Sequence, residues 1–260
     1  MNILIIGATS GIGKALFKNY VKENHRVGIV GRRTHLLEEL RQQHPANTVI
    51  ATADITKQDE TERAINLLLK ELGNIDLAIV CSGTGDINSS LDYAVERPTL
   101  DTNVTGWTFV VDTFYRLFEQ QGHGHLVAIT SVGGLRGEPG APAYSATKAY
   151  QINYMEALRK KAFKAGGSIT VTDVRPGLVD TAMAKGRNSE SHQTRLDGQV
   201  VTELGEAKGD GLFWVMPVEK VVRQISAAIH HRKSKVYVTK RWHILAVINK
   251  NLPFYLYKRM

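Results

Sequence analysis

The chain of 260 residues lacks the features that mark several classes of protein. Its one cysteine, Cys81, cannot form an internal disulfide, which excludes a disulfide-stapled scaffold. Only 7 prolines accompany an ordinary apolar share of 43 %, which excludes collagenous and disordered chains. The first apolar stretch ends at Gly7, too early for the apolar core of a signal peptide. We therefore expect a globular, cytoplasmic protein.

Acidic residues are missing from the C-terminal end. All 25 Asp and Glu residues lie at or before Glu219, so residues 220–260 carry only basic charges. The net charge of +8 thus belongs to this end, since the first 219 residues hold 23 basic against 25 acidic residues. Because the body of the chain is not basic and has no nucleic-acid-binding motif, we predict no nucleic-acid partner.

Short apolar runs alternate with segments of helical period, which indicates a parallel sheet built from βαβ units. The predicted strands are Asn2–Ile6, Arg26–Val30, Val49–Ala53, Leu77–Cys81, His125–Thr130, Ser168–Val174 and Val236–Thr239. The predicted helices are Gly11–Glu23, Thr34–His44, Gln58–Leu72, Thr99–Gln121, Tyr144–Ala165 and Pro217–His231. This pattern predicts an α/β fold, a doubly wound sheet of seven strands with helices on both faces.

No linker or internal repeat divides the series, so residues 1–239 are predicted to form one domain. The stretch without clear period, about residues 177–211, follows a strand, where ligands bind in such folds. We therefore expect a lid near residues 182–213. Residues 240–260 are predicted to be a basic and apolar extension.

The first turn after a strand is rich in glycine. It reads Gly7, Ala8, Thr9, Ser10, Gly11, Ile12 and Gly13, directly before a helix. Glycines permit close approach of the backbone to a pyrophosphate, which then lies at the helix N-terminus. A plain glycine turn is the alternative, but the strand before it and the helix after it favour a dinucleotide site.

The spacing Gly-x3-Gly-x-Gly resembles that of the short-chain dehydrogenase/reductase family, and matching positions follow along most of the chain. The resemblance implies a Rossmann-type fold and an NADP cofactor or its NAD counterpart. It implies four catalytic residues: Asn103, Ser131, Tyr144 and Lys148. It implies that the cofactor is contacted by Gly7, Thr9, Ser10, Gly11, Ile12, Gly13, Arg32, Arg33, Asp54, Ile55, Gly83, Tyr144, Lys148, Pro176, Gly177, Val179 and Thr181.

The resemblance also assigns roles to single residues. Asp54 would bind the adenine, Lys148 the nicotinamide ribose, and Asn103 a water in the proton relay. One segment departs from the family, because Val80-Cys81-Ser82-Gly83 replaces the usual Asn-Asn-Ala-Gly. The glycine beside the cofactor is kept, but an amide that ties neighbouring strands is lost, which puts local rigidity in doubt.

Tyr144 and Lys148 also make chemical sense on their own. Four residues apart, they share one face of a helix. An ammonium roughly 5 Å away would stabilise a phenolate by about 3 kcal/mol and so lower the pKa of Tyr144. The phenol could then give a proton to a carbonyl oxygen while Ser131 hydrogen-bonds the same oxygen.

Each of these residues has a purely structural alternative. Ser131 could cap a strand end, Asn103 could be a buried polar residue satisfied by backbone, and Asp54 could be a helix N-cap. The Ser145 to Lys148 spacing also fits the Ser-x-x-Lys of penicillin-binding enzymes, but its partner motifs are missing. The nine histidines lack the spacing of a zinc helix, so we predict no metal.

Cofactor preference is indicated after the second strand, where Gly31 is followed by Arg32 and Arg33. An acidic residue here would favour NAD, whereas a guanidinium can pair with the 2′-phosphate of NADP. We therefore predict an NADP-dependent oxidoreductase that interconverts a carbonyl and a secondary alcohol. Lipid-like substrates are mildly favoured, from an apolar lining of the lid at Met183, Leu204, Leu212, Phe213 and Trp214. The alternative is a cofactor-binding regulator without turnover.

Two kinds of association are expected. By the resemblance, helices Thr99–Gln121 and Tyr144–Ala165 would form a homodimer or homotetramer interface. An apolar stripe on the first helix could serve it or belong to the core: Val104, Trp107, Val111, Phe114, Tyr115 and Phe118. The apolar end of the chain, residues 244–257, is too short and too interrupted to span a bilayer. It would either pack on the subunit or lie on an anionic membrane surface, and the two can coexist.

Overall fold

The structure of the protein is a computed structural model that describes residues 1–181 and 215–259. Seven parallel strands form one sheet in the order β3-β2-β1-β4-β5-β6-β7. The strands are β1 (Asn2–Ile6), β2 (Arg26–Gly31), β3 (Thr48–Thr52), β4 (Leu77–Val80), β5 (Gly124–Ile129), β6 (Ile169–Pro176) and β7 (Lys235–Val238). The seven-stranded doubly wound fold is confirmed, and the strand ends differ from the prediction by at most two residues.

Helices cover both faces of the sheet in the described part of the chain. They are α1 (Gly11–Lys22), α2 (Thr34–Gln43), α3 (Gln58–Leu72), α4 (Tyr93–Leu100), α5 (Trp107–Gln121), α6 (Pro142–Lys164), α7 (Val218–His230), α8 (Lys240–Asn251) and α9 (Phe254–Tyr257). Strand β1 shows why both faces need cover. Ile3 and Ile5 belong to one apolar cluster and Leu4 and Ile6 to the other, because side chains of a strand alternate between faces.

The order of the strands reverses between β1 and β4. From β1 the chain builds outward to β2 and β3, then returns to β4 on the other side. The two connections leave a crevice at the carboxyl ends of β1 and β4, which is where ligands bind in open α/β sheets. The Gly-rich turn follows β1, and Cys81 follows β4.

The predicted helix Thr99–Gln121 was wrong in its start and in its regularity. Helix α4 begins at Tyr93, where the side chain of Asp92 accepts a hydrogen bond from Ala94 N. It contains Pro98, and a π-helical segment, Asp101–Gly106, then joins it to α5. Pro98 donates no hydrogen bond within the helix, so the sequence pattern predicted that the helix begins only at Thr99. In the structure, tertiary packing lets it begin at Tyr93.

The apolar stripe of α5 lies inside the subunit. Trp107, Val111, Phe114, Tyr115 and Phe118 are buried within the chain, and only Val104 is partly exposed. These five side chains therefore cannot form a surface for a second subunit, and the homodimer prediction rests on the family resemblance alone. The predicted lid, residues 182–213, lies outside the described residues.

Candidate active site

The Gly-rich turn meets the segment after β4. Gly7 has φ +87, and a Cβ there would lie 2.7 Å from Ser82 N, so no other residue fits without displacing backbone. The first bond of α1 runs from Lys14 N to the carbonyl of Ser10, whose side chain caps nothing. The amide groups ahead of Lys14 consequently have no partner within the helix and can receive an anion.

A second observation indicates that the crevice fits the pyrophosphate of a dinucleotide. The hydroxyl of Ser82 is buried and, within residues 1–181 and 215–259, has no hydrogen-bond partner. The backbone of Ser82 lies against Gly7, at the switch between β1 and β4. An unsatisfied buried hydroxyl on a residue that contacts the Gly-rich turn suits a ligand with polar oxygen atoms. Thr9, Ile12 and Gly13 belong to the same turn and helix start.

Two arginines and a carboxylate follow β2 and β3. The guanidinium of Arg33 donates to Thr9 Oγ1 over 2.8 Å, so it ties the end of β2 to the Gly-rich turn. Arg32 lies 3.7 Å from Asp54 with a side chain that is 69 % exposed. Asp54 accepts from the backbone and hydroxyl of Thr56, and Lys57 is the N-cap position of α3. The N-cap alternative for Asp54 was therefore wrong.

Asn103 lies in the π-helical segment and is fully buried. Its side-chain amide accepts from Thr84 N over 2.9 Å and donates to Thr84 O over 2.7 Å and to Thr147 Oγ1 over 3.0 Å. The structural alternative, a buried amide satisfied by backbone, therefore holds. These bonds fasten the loop after β4 to α6, which supplies rigidity where Cys81 and Ser82 replace the family's asparagine and alanine.

Ser131 and Tyr144 lie together above the end of β5. Ser131 Oγ accepts from Gly133 N over 3.0 Å, so the serine caps a short turn as its structural alternative predicts. A Cβ on Gly133 would lie 3.3 Å from Ser131 Oγ and 3.4 Å from the ring of Tyr144, so the two side chains are neighbours. Burial raises the pKa of Tyr144 above its usual value, and the nearby hydroxyl of Ser131 opposes that rise. Burial, and not Lys148 as the sequence suggested, is the main influence on this pKa.

Lys148 is buried one helical turn along α6 from Tyr144. Its Nζ lies 5.8 Å from the centre of the Tyr144 ring and donates to Ile129 O over 3.4 Å. Burial lowers the pKa of Lys148 to about 8, although Cys81 and Asp173 favour the charged form. Gly83 lies against this amine, since a Cβ there would be 3.2 Å from Nζ.

Gln151 was missed by the sequence analysis. Its fully buried side chain accepts from Lys148 Nζ over 3.0 Å and donates to Asn103 O over 2.9 Å. One amide thus joins two of the predicted catalytic residues. The available signal was its place three residues after Lys148, on the same face of a helix.

The segment after β6 returns to the Gly-rich turn. Pro176 ends β6, and the side chain of Thr181 lies 3.4 Å from the position of a Cβ on Gly11. Val179 pairs with Met216 in an isolated bridge. A Cβ on Gly177 would fall 2.0 Å from the ring of Trp242 in α8, so the C-terminal helix covers this glycine.

The predicted site residues therefore share the carboxyl edge of the sheet. Asn103, Ser131, Tyr144 and Lys148 surround the end of β5, and the Gly-rich turn adjoins them at β1. Ile55 approaches from the β3 side, where its carbonyl packs against the π-helical segment. Such an arrangement can hold a dinucleotide across the crevice and present a phenol and a hydroxyl to a carbonyl group.

Residues 1–192 match the family described as short chain dehydrogenase. An uncharacterised oxidoreductase of Myxococcus xanthus (strain DK1622) is 34% identical over 190 residues, which are 71% of this chain and 74% of that protein. Another, of Staphylococcus haemolyticus (strain JCSC1435), is 30% identical over 203 residues, 77% of this chain and 87% of that protein.

Solved structures share the fold. A short chain dehydrogenase/reductase from Burkholderia phymatum in complex with NAD gives a TM-score of 0.83 at 19% identity, covering 95% of this chain and 92% of that one. A short chain dehydrogenase from Burkholderia cenocepacia J2315 in complex with NADP gives 0.76 at 20% identity, covering 99% and 96%. Since the family match spans most of its length, the chain belongs to the short-chain dehydrogenase/reductase family of oxidoreductases.

Proposed function

We propose that the protein is an NADP-dependent oxidoreductase that interconverts a carbonyl and a secondary alcohol, with Tyr144 as the general acid and base. The observation that carries this proposal is the cluster at the end of β5. There the hydroxyl of Ser131 and the phenol of Tyr144 are neighbours, and Lys148 lies behind the phenol ring, beside the β1–β4 crevice.

The residues of the chain divide the work of carbonyl reduction. The nicotinamide, when bound, supplies the hydride. Tyr144 gives its proton to the carbonyl oxygen, and its raised pKa keeps the phenol protonated at neutral pH. Ser131 orients the same oxygen, since its hydroxyl accepts a hydrogen bond from Gly133 N and its own proton remains free to donate. Lys148 places a cation behind the phenol and so stabilises the phenolate that remains.

The cofactor would lie along the carboxyl edge from β3 to β6. The amide groups at the start of α1 would hold the pyrophosphate, and Arg32 would pair with a 2′-phosphate. The exposed guanidinium of Arg32 and the absence of an acidic residue after β2 favour NADP over NAD. Both NAD and NADP complexes occur among the similar structures, so the proposed preference for NADP rests on Arg32.

Dissociation constants for NADPH and NADH test the cofactor assignment. NADPH should bind more tightly, and Arg32→Gln should weaken NADPH by about tenfold or more while leaving NADH almost unchanged, because one charge-assisted phosphate pair is lost. Arg63→Gln, an exposed arginine on α3, is the matched control. Equal affinities in the wild-type protein would refute the assignment.

A panel of carbonyl compounds with NADPH oxidation tests the reaction. Tyr144→Phe should lower kcat on any accepted substrate by a factor of about 100 or more, because the general acid is removed. Tyr20→Phe is the matched control, since Tyr20 is buried near the far end of α1. A Tyr144→Phe variant as fast as the parent would exclude Tyr144 as the acid. NADPH binding without turnover of any compound would favour the alternative, a cofactor-binding regulator.

The proposal also includes a substrate class and an oligomeric state. A lipid-like carbonyl compound is favoured by the apolar residues of the predicted lid, which lie outside the described residues. A homodimer or homotetramer follows from the family resemblance. Light scattering that gives a monomer of 28.8 kDa at micromolar concentration would refute the oligomer.

A further inference from the structure

The inner side of the C-terminal helices is docked on the subunit. The ring of Trp242 covers Gly177, and Ala246 is buried one turn further along α8. The guanidinium of Arg136, in the loop after β5, donates to the carbonyls of Asn249, Lys250 and Leu252 at the end of α8. These contacts show that the C-terminal end of the chain packs on the subunit.

The outer side of the same helices is apolar and exposed. Ile244, Val247 and Ile248 have the i, i+3, i+4 spacing of one helix face, and Ile244 is 62% exposed. Phe254 in α9 is 71% exposed, and its two neighbours along the chain are also exposed: Tyr255 and Leu256. We call these six residues the tail face. Six large apolar side chains exposed within residues 244–256 indicate an interaction site.

The charges around the tail face have one sign. Lys240, Lys250, Lys258 and Arg259 are exposed in the same stretch of the chain. No acidic residue occurs anywhere after Glu219. A second copy of the chain is disfavoured as the occupant, because a two-fold contact between identical tails would bring these cations against one another.

We propose that the tail face binds the surface of an anionic lipid bilayer. Apolar and aromatic side chains on one side of a helix, flanked by Lys and Arg, combine burial at the headgroup boundary with attraction to negative lipids. The protein would lie on the membrane, since no helix within the described residues is long and apolar enough to cross one.

The position of the tail face brings the candidate active site to the same surface. Helix α8 starts two residues after β7 ends, at the carboxyl edge of the sheet, and its Trp242 contacts the Pro176–Gly177 segment. A membrane-bound subunit would thus hold this edge near the lipid. Binding itself does not require the proposed reaction, so the two proposals can fail separately.

Co-sedimentation of the full-length protein with vesicles tests the proposal. The protein should pellet with vesicles of phosphatidylglycerol and phosphatidylcholine at low salt. We expect the partition coefficient to be about tenfold or more lower with phosphatidylcholine alone, or at high salt. The double variant Ile248→Asn, Phe254→Ser should lower it by a similar factor with the anionic vesicles, because two anchoring side chains become polar.

Two further variants distinguish binding through the tail face from non-specific binding to vesicles. Phe163→Ser is the matched control, since Phe163 is 83% exposed among lysines near the end of α6, at the opposite edge of the sheet. Its partition coefficient should equal that of the wild type. Lys250→Glu with Lys258→Glu keeps the apolar residues and should also lower binding to anionic vesicles about tenfold.

Three results would overturn the proposal. One is a wild-type protein that stays in solution with anionic vesicles at low salt. Another is a tail-face variant that still binds as the parent does, with a native circular dichroism spectrum. The third is a tail-face variant that dissociates an oligomer in light scattering while vesicle binding is unchanged, which would make the face an interface between subunits.

Discussion

Gln151 determines how two of the candidate catalytic residues are held. It accepts a hydrogen bond from Lys148 Nζ and donates one to the carbonyl of Asn103, all within the buried interior. By the family resemblance, Asn103 would hold a water in the proton relay. Here a side-chain amide already occupies one lone pair of the Asn103 carbonyl oxygen, so the position of Lys148 depends on the chain itself.

Substitutions of Gln151 should therefore move the pH profile of the proposed reaction. Gln151→Leu removes the acceptor of the ammonium, which lowers the pKa of Lys148 further below its usual value and shifts the basic limb of kcat to lower pH. Gln151→Glu should shift that limb to higher pH, because a carboxylate favours the ammonium. We expect kcat to fall about tenfold in Gln151→Leu with little change in substrate KM. A lower melting temperature with an unmoved pH profile would show a purely structural role.

The burial of Lys148 also predicts how stability depends on pH. Its pKa is about 8 in the folded protein against 10.5 for an exposed lysine, so between these values the unfolded chain binds more protons. The free energy of unfolding therefore rises with pH through this window, by about 2 kcal/mol between pH 7.5 and 9.5.

Lys148→Met should abolish this rise, because the titrating group is gone. The measurement is denaturant unfolding of both proteins at the two pH values, and the quantity to compare is the difference between wild type and variant. Contributions of other titrating groups cancel in that difference. An equal dependence in the two proteins would mean that Lys148 titrates alike in the folded and unfolded chains.

At the level of elements, the strands could be predicted because each is a short apolar run cut off by polar residues. Strand β1 was predicted to the residue, and helix α3 likewise, since its apolar residues recur with helical period over 15 residues. The start of α4 and the π-helical segment could not be predicted, because packing against α6 and the loop after β3 overrides local pattern there.

Part of the candidate site could likewise be predicted from the sequence, and part of it could not. Ser131, Tyr144 and Lys148 were predicted from the family resemblance, with a chemical reason for the spacing of the last two, and the Gly-rich turn from its position between strand and helix. Gln151 and Arg136 carry contacts with partners 48 and over a hundred residues away along the chain, which no local pattern reveals. Their roles follow only from the fold.

The end of α8 depends on Arg136. Besides its bonds to three carbonyls, the guanidinium lies 5.1 Å from the ring centre of Tyr257, whose hydroxyl donates to Gly137 O. Arg136→Ala leaves the last carbonyls of α8 without their charged donor, so we expect α8 and α9 to detach more often. Limited proteolysis should cleave the C-terminal end at least several-fold faster, and the unfolding free energy should fall by about 2 kcal/mol. Arg63→Ala, on the exposed face of α3, should change neither quantity.

On the scale of the whole molecule, the sheet separates two tasks. Recognition of the 2′-phosphate is proposed at Arg32, after β2, whereas the C-terminal helices are held by Arg136, after β5, and follow β7. In the strand order, β1 and β4 lie between β2 and β5. With strands about 4.8 Å apart, the ends of β2 and β5 are roughly 14 Å apart.

Substitutions at the two ends should consequently act independently. Arg32→Gln should change the ratio of NADPH to NADH affinity without accelerating cleavage of the C-terminal end, and Arg136→Ala should do the reverse. Sites more than about 10 Å apart with no shared partner have additive free energies to within about 0.5 kcal/mol, so the double variant should show the sum of the single effects. Unfolding free energies and cofactor dissociation constants of the four proteins measure this. A coupling energy above about 1 kcal/mol would mean that the C-terminal helices and the cofactor crevice respond to one another through the sheet.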